Sequence, residues 1–575
     1  MNNSKIAEIF NKMADILEIE EENPFRIRAY RRAAQTIENL SGDILQYVKE
    51  DSLVKLPGIG EDLASKIKEF LKTGKIVSYE KLKKKVKPVL LDMLDIPGVG
   101  PKTARLLYER LKIRSLAELH AKARAHKISG LPGVKDKTEE NILKGLDFLK
   151  KDIGRMRLDV AFITAQYIVS ELKKLPEVIE ISPAGSLRRM KETIRDIDIL
   201  VTSKENEKVM DAFVKLPNVG NIIAKGATKS SILTKNNIQV DLRVVSPDSY
   251  GAALMYFTGS KAHNIRMREM ASKMGLKINE YGVFRVKGNK KIAGKNESEI
   301  FSLFNMPYIE PELRENTGEI EMALHGKLPK LVELKDIKCD FHVHTEDSDG
   351  VLSLEEIAKI AKKKGYKYVI ISDHSVSLKI AGGLSEKRLL NEIENIRNFN
   401  RNSKDIKLLA GSEVDILEDG SLDYSNVILE KLDFVIAAIH SGFRQSKDKL
   451  TTRIVKAMKN RYVNLIAHPS GRLIGQRTAY ELDYERIFSV AKETGTAVEI
   501  NAYPERLDLT DVNCKRAHEL GIKLAIGTDA HLEGQFDNMI YGVSVAKRGW
   551  VEKKDLLNCL TVEELKEFVE CKRRC

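Results

Sequence analysis

The sequence predicts a multidomain chain: an all-helical N-terminal region, a mixed α/β centre, and a C-terminal third of alternating strands and helices. Three observations predict it. At 575 residues the chain is too long for one core, since single cores rarely grow past ~250–300 residues. A Pro-Gly-x-Gly turn flanked by helices recurs near the N-terminus. From Lys338 onward, short apolar runs at 368–371, 434–437 and 497–500 alternate with helical patterns, the rhythm of a parallel barrel or sheet.

Hydrophobic residues make up 42% of the chain, ordinary for a globular protein. No uninterrupted apolar run approaches the ~20 residues that span a bilayer. The stretch after Met1 lacks the apolar core of a signal peptide, so the chain reads as cytoplasmic, with no membrane partner. The five cysteines are sparse and C-terminally weighted, which argues against a disulfide framework. Cys571 and Cys575 lie in a basic tail that reads as a frayed end. The net charge of +13 is unevenly placed. Residues 1–100 carry +1, residues 101–340 carry +12 and residues 341–575 carry none. A basic middle suits a polyanion such as DNA.

Residues 1 to about 84 read as helices, with a run from Ile27 to Leu40 after Pro24. Leu56-Pro57-Gly58-Ile59-Gly60 precedes a helix from Glu61 to about Leu71. Ile96-Pro97-Gly98-Val99-Gly100 repeats the unit before a helix from Pro101. Leu131-Pro132-Gly133-Val134-Lys135 is a third copy without its second glycine. Glycines let backbone approach a phosphate, and the next helix offers N–H groups that have no partner within it. Gly58, Gly60, Gly98 and Gly100 are therefore candidate contacts to a DNA backbone, read without regard to base. The competing reading is a tight turn used for packing alone.

From Arg155 the pattern turns mixed α/β, with a helix from about Leu158 to Lys174 and strands and helices to about Val245. Gly185-Ser186-Leu187-Arg188-Arg189 is a turn suited to cradling phosphates. Asp196-Ile197-Asp198 opens a strand whose alternation puts both carboxylates on one face. A later strand at 238–245 carries Asp241, and if it pairs beside the first, three carboxylates converge. Such oxygen-rich sites suit Mg²⁺ or Mn²⁺ shared with substrate phosphates, and two ions about 3.5–4 Å apart suit transfer of a nucleotide. The competing reading is a solvated acidic strand edge. Residues 250–315 hold Tyr256-Phe257-Thr258-Gly259-Ser260, a helix from about Ala262 to Met274 and short strands around Ile278 and Phe284. Residues 316–336 read as a connector.

The C-terminal strands end in metal-ligand types: His342, His344 and Asp349; His374; Glu413; His440; His468; and Asp529 with His531. These take six of the chain's 11 histidines, so chance placement is a poor account of them. In a parallel barrel such ends converge on one mouth. Nine N/O ligands can hold two or three ions, and imidazole with carboxylate favours Zn, Mn or Fe over Mg alone. Clustered ions can supply hydroxide and neutralise a phosphate.

On these motifs the chain resembles, over nearly its whole length, the bacterial and archaeal family X DNA polymerases fused to a PHP phosphoesterase domain. The resemblance implies a nucleotidyltransferase palm and thumb after helix-hairpin-helix domains, then a distorted (β/α) barrel. It implies divisions at 1–84 (lyase-like), 85–152 (fingers-like), 153–245 (palm), 246–315 (thumb), 316–336 (linker) and 337–575 (PHP). Gly185, Ser186, Arg189 and Arg155 resemble the family's triphosphate contacts, and Asp196, Asp198 and Asp241 its catalytic metal triad. Tyr256, Phe257 and Gly259 resemble the stretch that packs on the nucleotide sugar. Asn264 and Arg268 match contacts to the nascent pair and template, and Lys261 stands near the incoming base. Lys66 aligns with a Schiff-base lysine of the lyase domain. Asp62 and Arg26 replace lysines there, so Lys66 either reacts with an abasic sugar or only grips a 5′-phosphate.

The implied function is template-directed gap filling in repair, with dNTPs and gapped or primed duplex DNA as partners, by a monomer. The PHP domain implies a 3′–5′ exonuclease, with abasic-site incision open. The rivals are a DNA-binding nuclease or scaffold whose polymerase site is idle, a template-free nucleotidyltransferase, and a PHP small-molecule phosphatase.

Overall fold

The computed structural model of the chain describes residues 2–38, 44–49, 52–56, 58–94, 96, 99–131, 138–139, 142–143, 146 and 155–574. In the N-terminal region, apolar positions at helical spacing bury Phe10, Met13 and Leu17 of α1 (Asn2–Ile19) beside Tyr30, Ala33 and Ile37 of α2 (Pro24–Glu38). Pro24 opens α2 instead of standing in a break before it, because a first-turn residue needs no helical N–H. Helices α3 (Glu61–Thr73) and α4 (Pro101–Leu111) follow the two glycine turns and bury Ile67, Ala104 and Leu107 in the same core.

The centre is a five-stranded sheet covered by α5 (Leu158–Leu172). Its strands are β1 (Val178–Pro183), β2 (Ile197–Ser203), β3 (Val219–Lys225), β4 (Lys229–Thr234) and β5 (Gln239–Val244). Their order is β1-β2-β5-β4-β3, with only β2 and β5 parallel. Then come α6 (Tyr250–Thr258), α7 (Lys261–Lys273) and an antiparallel sheet of β6 (Leu276–Asn279), β7 (Gly282–Arg285) and β8 (Lys291–Ala293). The connector at 316–336 is built structure. It carries α8 (Glu319–Leu324), whose Ile320 and Ala323 join the apolar core of this thumb-like unit.

The last third has seven parallel strands in sequence order: β9 (Cys339–Val343), β10 (Tyr368–Ile371), β11 (Lys407–Asp415), β12 (Phe434–Ala438), β13 (Leu465–Ile466), β14 (Ala497–Asn501) and, after α9 (Asp511–Leu520), β15 (Leu524–Gly527). A parallel bridge between Val343 and Ala530 joins the first strand to the end of the last, so the barrel is nearly closed. Helix α10 (Met539–Arg548) covers β14 and β15. The basic tail is not frayed through Arg574: α11 (Val562–Arg574) buries Leu565 and Val569, and Lys572 donates to the carbonyls of Met458 and Thr494. Cys575 lies outside the described residues. Among the described residues no helix is long and apolar enough to cross a membrane.

Candidate active sites

In the palm-like sheet, Asp198 on β2 pairs in register with Asp241 on β5. Parallel neighbours lie about 4.8 Å apart, so the two carboxylates leave the sheet side by side. Asp196 stands just ahead of β2, not within it, and its charge bears on Asp198. The Gly185 turn packs directly on them. Ala184 N–H donates to the Asp198 carbonyl at 2.8 Å, and a Cβ on Gly185 would lie 2.7 Å from Asp198 Oδ2. With φ at +63° as well, only glycine fits there.

Burial, then the charges of Asp196 and Asp241, push the Asp198 carboxyl up to about 6. Burial also acts on Asp241, but hydrogen bonds from Lys229, Gln239 and Ser231 hold it below the usual carboxylate value. Lys229 Nζ sits 2.8 Å from Asp241 Oδ2 and Gln239 Nε2 donates to Oδ1 at 3.1 Å. Carboxylate oxygens suit hard divalent cations, but Asp196, Asp198 and Asp241 are not among the donor groups of the described residues whose atoms lie within 4.8 Å of one another. Beside them a cleft of about 1090 Å³ opens between palm and thumb, lined by Lys229, Arg243, Phe257 and Tyr281 among others. Lys229 was not legible as a site residue, because its reach to Asp241 depends on β4 lying next to β5.

Gly185–Arg188 forms one helical turn whose arginines fasten it to the thumb-like unit. Arg188 grips both Glu297 oxygens at 2.9 and 2.7 Å and donates to Thr258 Oγ1 at 2.8 Å. Arg189 Nε donates to Glu315 Oε1 at 3.0 Å, and its Nη1 donates to the Thr258 carbonyl. Arg189 is therefore anchored within the protein and not extended into open solvent. Arg155 is likewise engaged, with Nε donating to Thr193 Oγ1 at 2.9 Å. Gly259 faces the same turn: a Cβ there would lie 3.1 Å from Arg189 Nη1. Ser186 is half-buried in the turn, and Tyr256 is exposed at the end of α6. The Arg243 guanidinium lies over Phe257, 4.5 Å from its centroid. On α7, Asn264 Nδ2 donates to the Tyr256 carbonyl at 2.7 Å, while Lys261 and Arg268 are exposed.

The described residues of the two glycine turns match. Ile59 N–H donates to Leu56 and Val99 N–H to Ile96 at 3.1 and 3.0 Å. Gly60 (φ −86°, ψ 177°) and Gly100 (φ −88°, ψ 173°) cap α3 and α4 without a side-chain bond. A Cβ at either would meet nothing within 4 Å, so the space at each cap is open. Gly58 packs on Arg32 at φ +81°. Gly98 and the third copy at 132–135 lie outside the described residues. Lys66 forms an ion pair with the carboxylate of Asp62, one turn earlier.

At the barrel mouth all nine candidate ligands come together. Three donor sets each lie within 4.8 Å: His344, Asp349, His374 and His531; His342, His344 and Asp529; and His374, Glu413 and His440. His468 joins through Nε2, 2.8 Å from Glu413 Oε1. His342 Nε2 and both ring nitrogens of His344 are buried without a hydrogen-bond partner, as expected of donors reserved for metal. Burial, then the neighbouring His531 and His374, push His344 down to about 4, towards the neutral form a metal ligand requires. Burial would raise Asp349, but His374 and His531 hold it well below the usual range.

Two supporting carboxylates were not singled out from sequence. Glu499 on β14 accepts from His342 Nδ1 at 2.6 Å and from His468 N–H at 2.6 Å. Asp415 lies 2.5 Å from His440 Nδ1. Such partners fix ring orientation. Asp415 was findable: it follows Glu413 by two on one strand and shares its face. An acid inside the apolar run at 497–500 was the signal for Glu499. His263 is fully buried, with its Nδ1 2.8 Å from Glu319 Oε1.

Four family models match the chain: Helix-hairpin-helix domain at residues 1–76, SAM-like Helix-hairpin-helix tandem at 90–147, DNA polymerase beta thumb at 253–315 and PHP domain at 340–503. The DNA polymerase/3'-5' exonuclease PolX of Bacillus subtilis (strain 168) is 37% identical over 572 residues, covering 99% of this chain and all of that protein. A probable phosphatase of Thermoanaerobacter sp. (strain X514) is 31% identical over 246 residues, 41% of this chain and 95% of that protein. Another, from Caldicellulosiruptor bescii, is 32% identical over 205 residues, 34% of this chain and 80% of that protein. This full-length match, with the thumb, helix-hairpin-helix and PHP models, places the chain in the family X DNA polymerases that carry a PHP domain.

Proposed function

We propose that this chain fills short gaps in DNA by template-directed nucleotide addition and trims 3′ ends with its PHP domain. The observation that carries the first activity is the register of Asp198 with Asp241, against a glycine turn that approaches Asp198. In this reading Asp196, Asp198 and Asp241 hold Mg²⁺ or Mn²⁺, which neutralise phosphate charge and acidify the attacking hydroxyl when bound. The chain's own groups position the reactants. Gly185, Ser186, Arg189 and Arg155 receive the triphosphate, where fixed cations stabilise developing charge. Tyr256, Phe257 and Gly259 bound the sugar, Asn264 and Arg268 meet the base pair and template, and Lys261 adds charge near the incoming base.

Gly58, Gly60, Gly98 and Gly100 grip the DNA backbone, and Lys66, paired with Asp62, either grips a 5′-phosphate or reacts with an abasic sugar. The PHP residues His342, His344, Asp349, His374, Glu413, His440, His468, Asp529 and His531 suit two or three Mn²⁺, Zn²⁺ or Fe ions. The division at 1–84, 85–152, 153–245, 246–315, 316–336 and 337–575 and a monomeric, cytoplasmic protein complete the reading.

The test is a gel assay with a 5′-labelled primer in a gapped duplex in Mn²⁺. Lengthening that follows the template with dNTPs, and shortening without them, supports both activities. Shortening alone means that the Asp triad is idle. The probable phosphatases that match the PHP region give a second reading, a small-molecule phosphatase. An intact DNA 3′ end after incubation without dNTPs favours that one.

A further inference from the structure

Several side chains of the PHP domain reach into the polymerase unit, Arg548 among them. Arg548, at the end of α10, is almost fully buried, with 4% of its side chain exposed. Its Nε and Nη2 both donate to Asp511 Oδ2, at 2.9 and 2.6 Å, which fixes the guanidinium on α9. Nη1 points the other way. It donates to the Arg189 carbonyl at 2.7 Å and to Glu315 Oε1 at 3.1 Å. The same Glu315 oxygen accepts from Arg189 Nε at 3.0 Å. Two arginines from different domains thus share one carboxylate oxygen, and one of them also holds the other's backbone.

The surroundings make this contact rigid. Trp550, two residues on, is the chain's single tryptophan and is buried in the thumb-like core with Ile320 and Leu313. Lys515 lies over its ring at 3.9 Å and donates to the Thr317 carbonyl at 2.6 Å. Lys547 forms an ion pair with Glu312. Arg472 donates to Glu192 Oε2 at 2.7 Å, just after the turn.

We propose that Arg548 of the PHP domain is a positioning residue for the polymerase's nucleotide turn, sharing Glu315 so that Arg189 stays available to the triphosphate. Without Arg548, Glu315 keeps only Arg189 at 3.0 Å and Lys191 Nζ at 4.0 Å, and the Arg189 pair tightens at the expense of an incoming anion. The freed Arg189 carbonyl also loosens the turn. The predicted loss is in nucleotide binding and not in the chemical step. This inference rests on the reading of Arg189 as a triphosphate contact.

The test is single-nucleotide gap filling by the full-length protein across a range of dNTP concentrations. If the wild-type chain does not extend the primer, the polymerase reading fails and not this inference alone. If it does, Arg548→Met should raise the dNTP KM about tenfold, equivalent to about 1.4 kcal/mol, with kcat within about twofold. Shortening of single-stranded DNA by the same preparation should be unchanged. Adding Glu315→Gln to Arg548→Met removes the competing anion and should bring KM most of the way back, which repair of a damaged fold would not do. Should Arg548→Met not fold, Arg548→Lys keeps the charge without spanning both partners, and an intermediate KM supports the role. An unchanged KM in whichever variant folds, parallel loss of extension and shortening, or no recovery in the double variant overturns it.

Discussion

Asp198 and Asp241 stand opposite one another on adjacent parallel strands, and the charge of each bears on the other. Burial with those like charges leaves Asp198 strained in the absence of cations. Such strain at a site is expected where function and stability compete. Asp198→Asn should therefore raise the melting temperature in EDTA by about 2–4 °C, the shift that ~1 kcal/mol gives a domain of this size. Calorimetry with and without Mn²⁺ checks this. Stabilisation by Mn²⁺ should shrink in the variant.

The ion-pair network behind the turn predicts an acid limit. Burial alone would raise the Glu297 carboxyl, but Arg314 and Arg188 overcome it and hold it at about 2. A depressed carboxyl stabilises the fold above its unfolded value of about 4.3, and that contribution is lost as pH falls from there towards 2. Glu297→Gln should lower stability at pH 7 by about 3 kcal/mol, since it leaves Arg314 buried with a broken pair. It should also flatten the stability profile between about pH 4.5 and 2. Circular dichroism melts across that range read both effects. A variant with the wild-type slope would show that Glu297 does not set the acid limit.

Glu499 predicts a selective loss in the barrel. It orients His342 and His468 without belonging to any of the three close donor sets. Glu499→Gln should weaken metal retention about 10–100-fold, the usual effect of removing an outer partner. Metal analysis after dialysis and primer shortening should both fall, while extension with dNTPs persists. Full metal content in the variant would remove Glu499 from the account.

The open helix caps make stability and DNA affinity diverge. Gly60 and Gly100 have ordinary φ and empty space where a Cβ would sit, so aspartate fits there. Aspartate is a better cap than glycine by a few tenths of a kcal/mol, yet its charge occupies the place of a phosphate. Gly60→Asp should melt no lower than wild type and bind gapped DNA about tenfold more weakly, with a shallower salt dependence. Fluorescence anisotropy in a salt series measures this. Unchanged affinity would mean that the turn only packs helices.

What the sequence made legible was local. Asp196 and Asp198, the glycine turns and each barrel ligand sit in short contiguous motifs at strand ends or helix starts, so residue type and period suffice to find them. That Asp241 joins the pair needed a conditional step, which the parallel pairing of β2 with β5 supplies. Lys229 was not legible, because only the strand order puts it beside Asp241. Asp62 was visible one turn before Lys66, but the ion pair follows from a helical face and not from alignment. Arg548 is 359 residues from Arg189, and no periodicity links them.

The most direct test of the central claim, two separate metal active sites in one chain, is a reciprocal pair of variants on one 5′-labelled gapped primer. Asp198→Asn should shorten the primer at the wild-type rate and add no nucleotide. His344→Ala should extend it and leave it untrimmed, since His344 takes part in two of the three donor sets. If either variant loses both activities, or keeps the one assigned to its own site, the account is wrong.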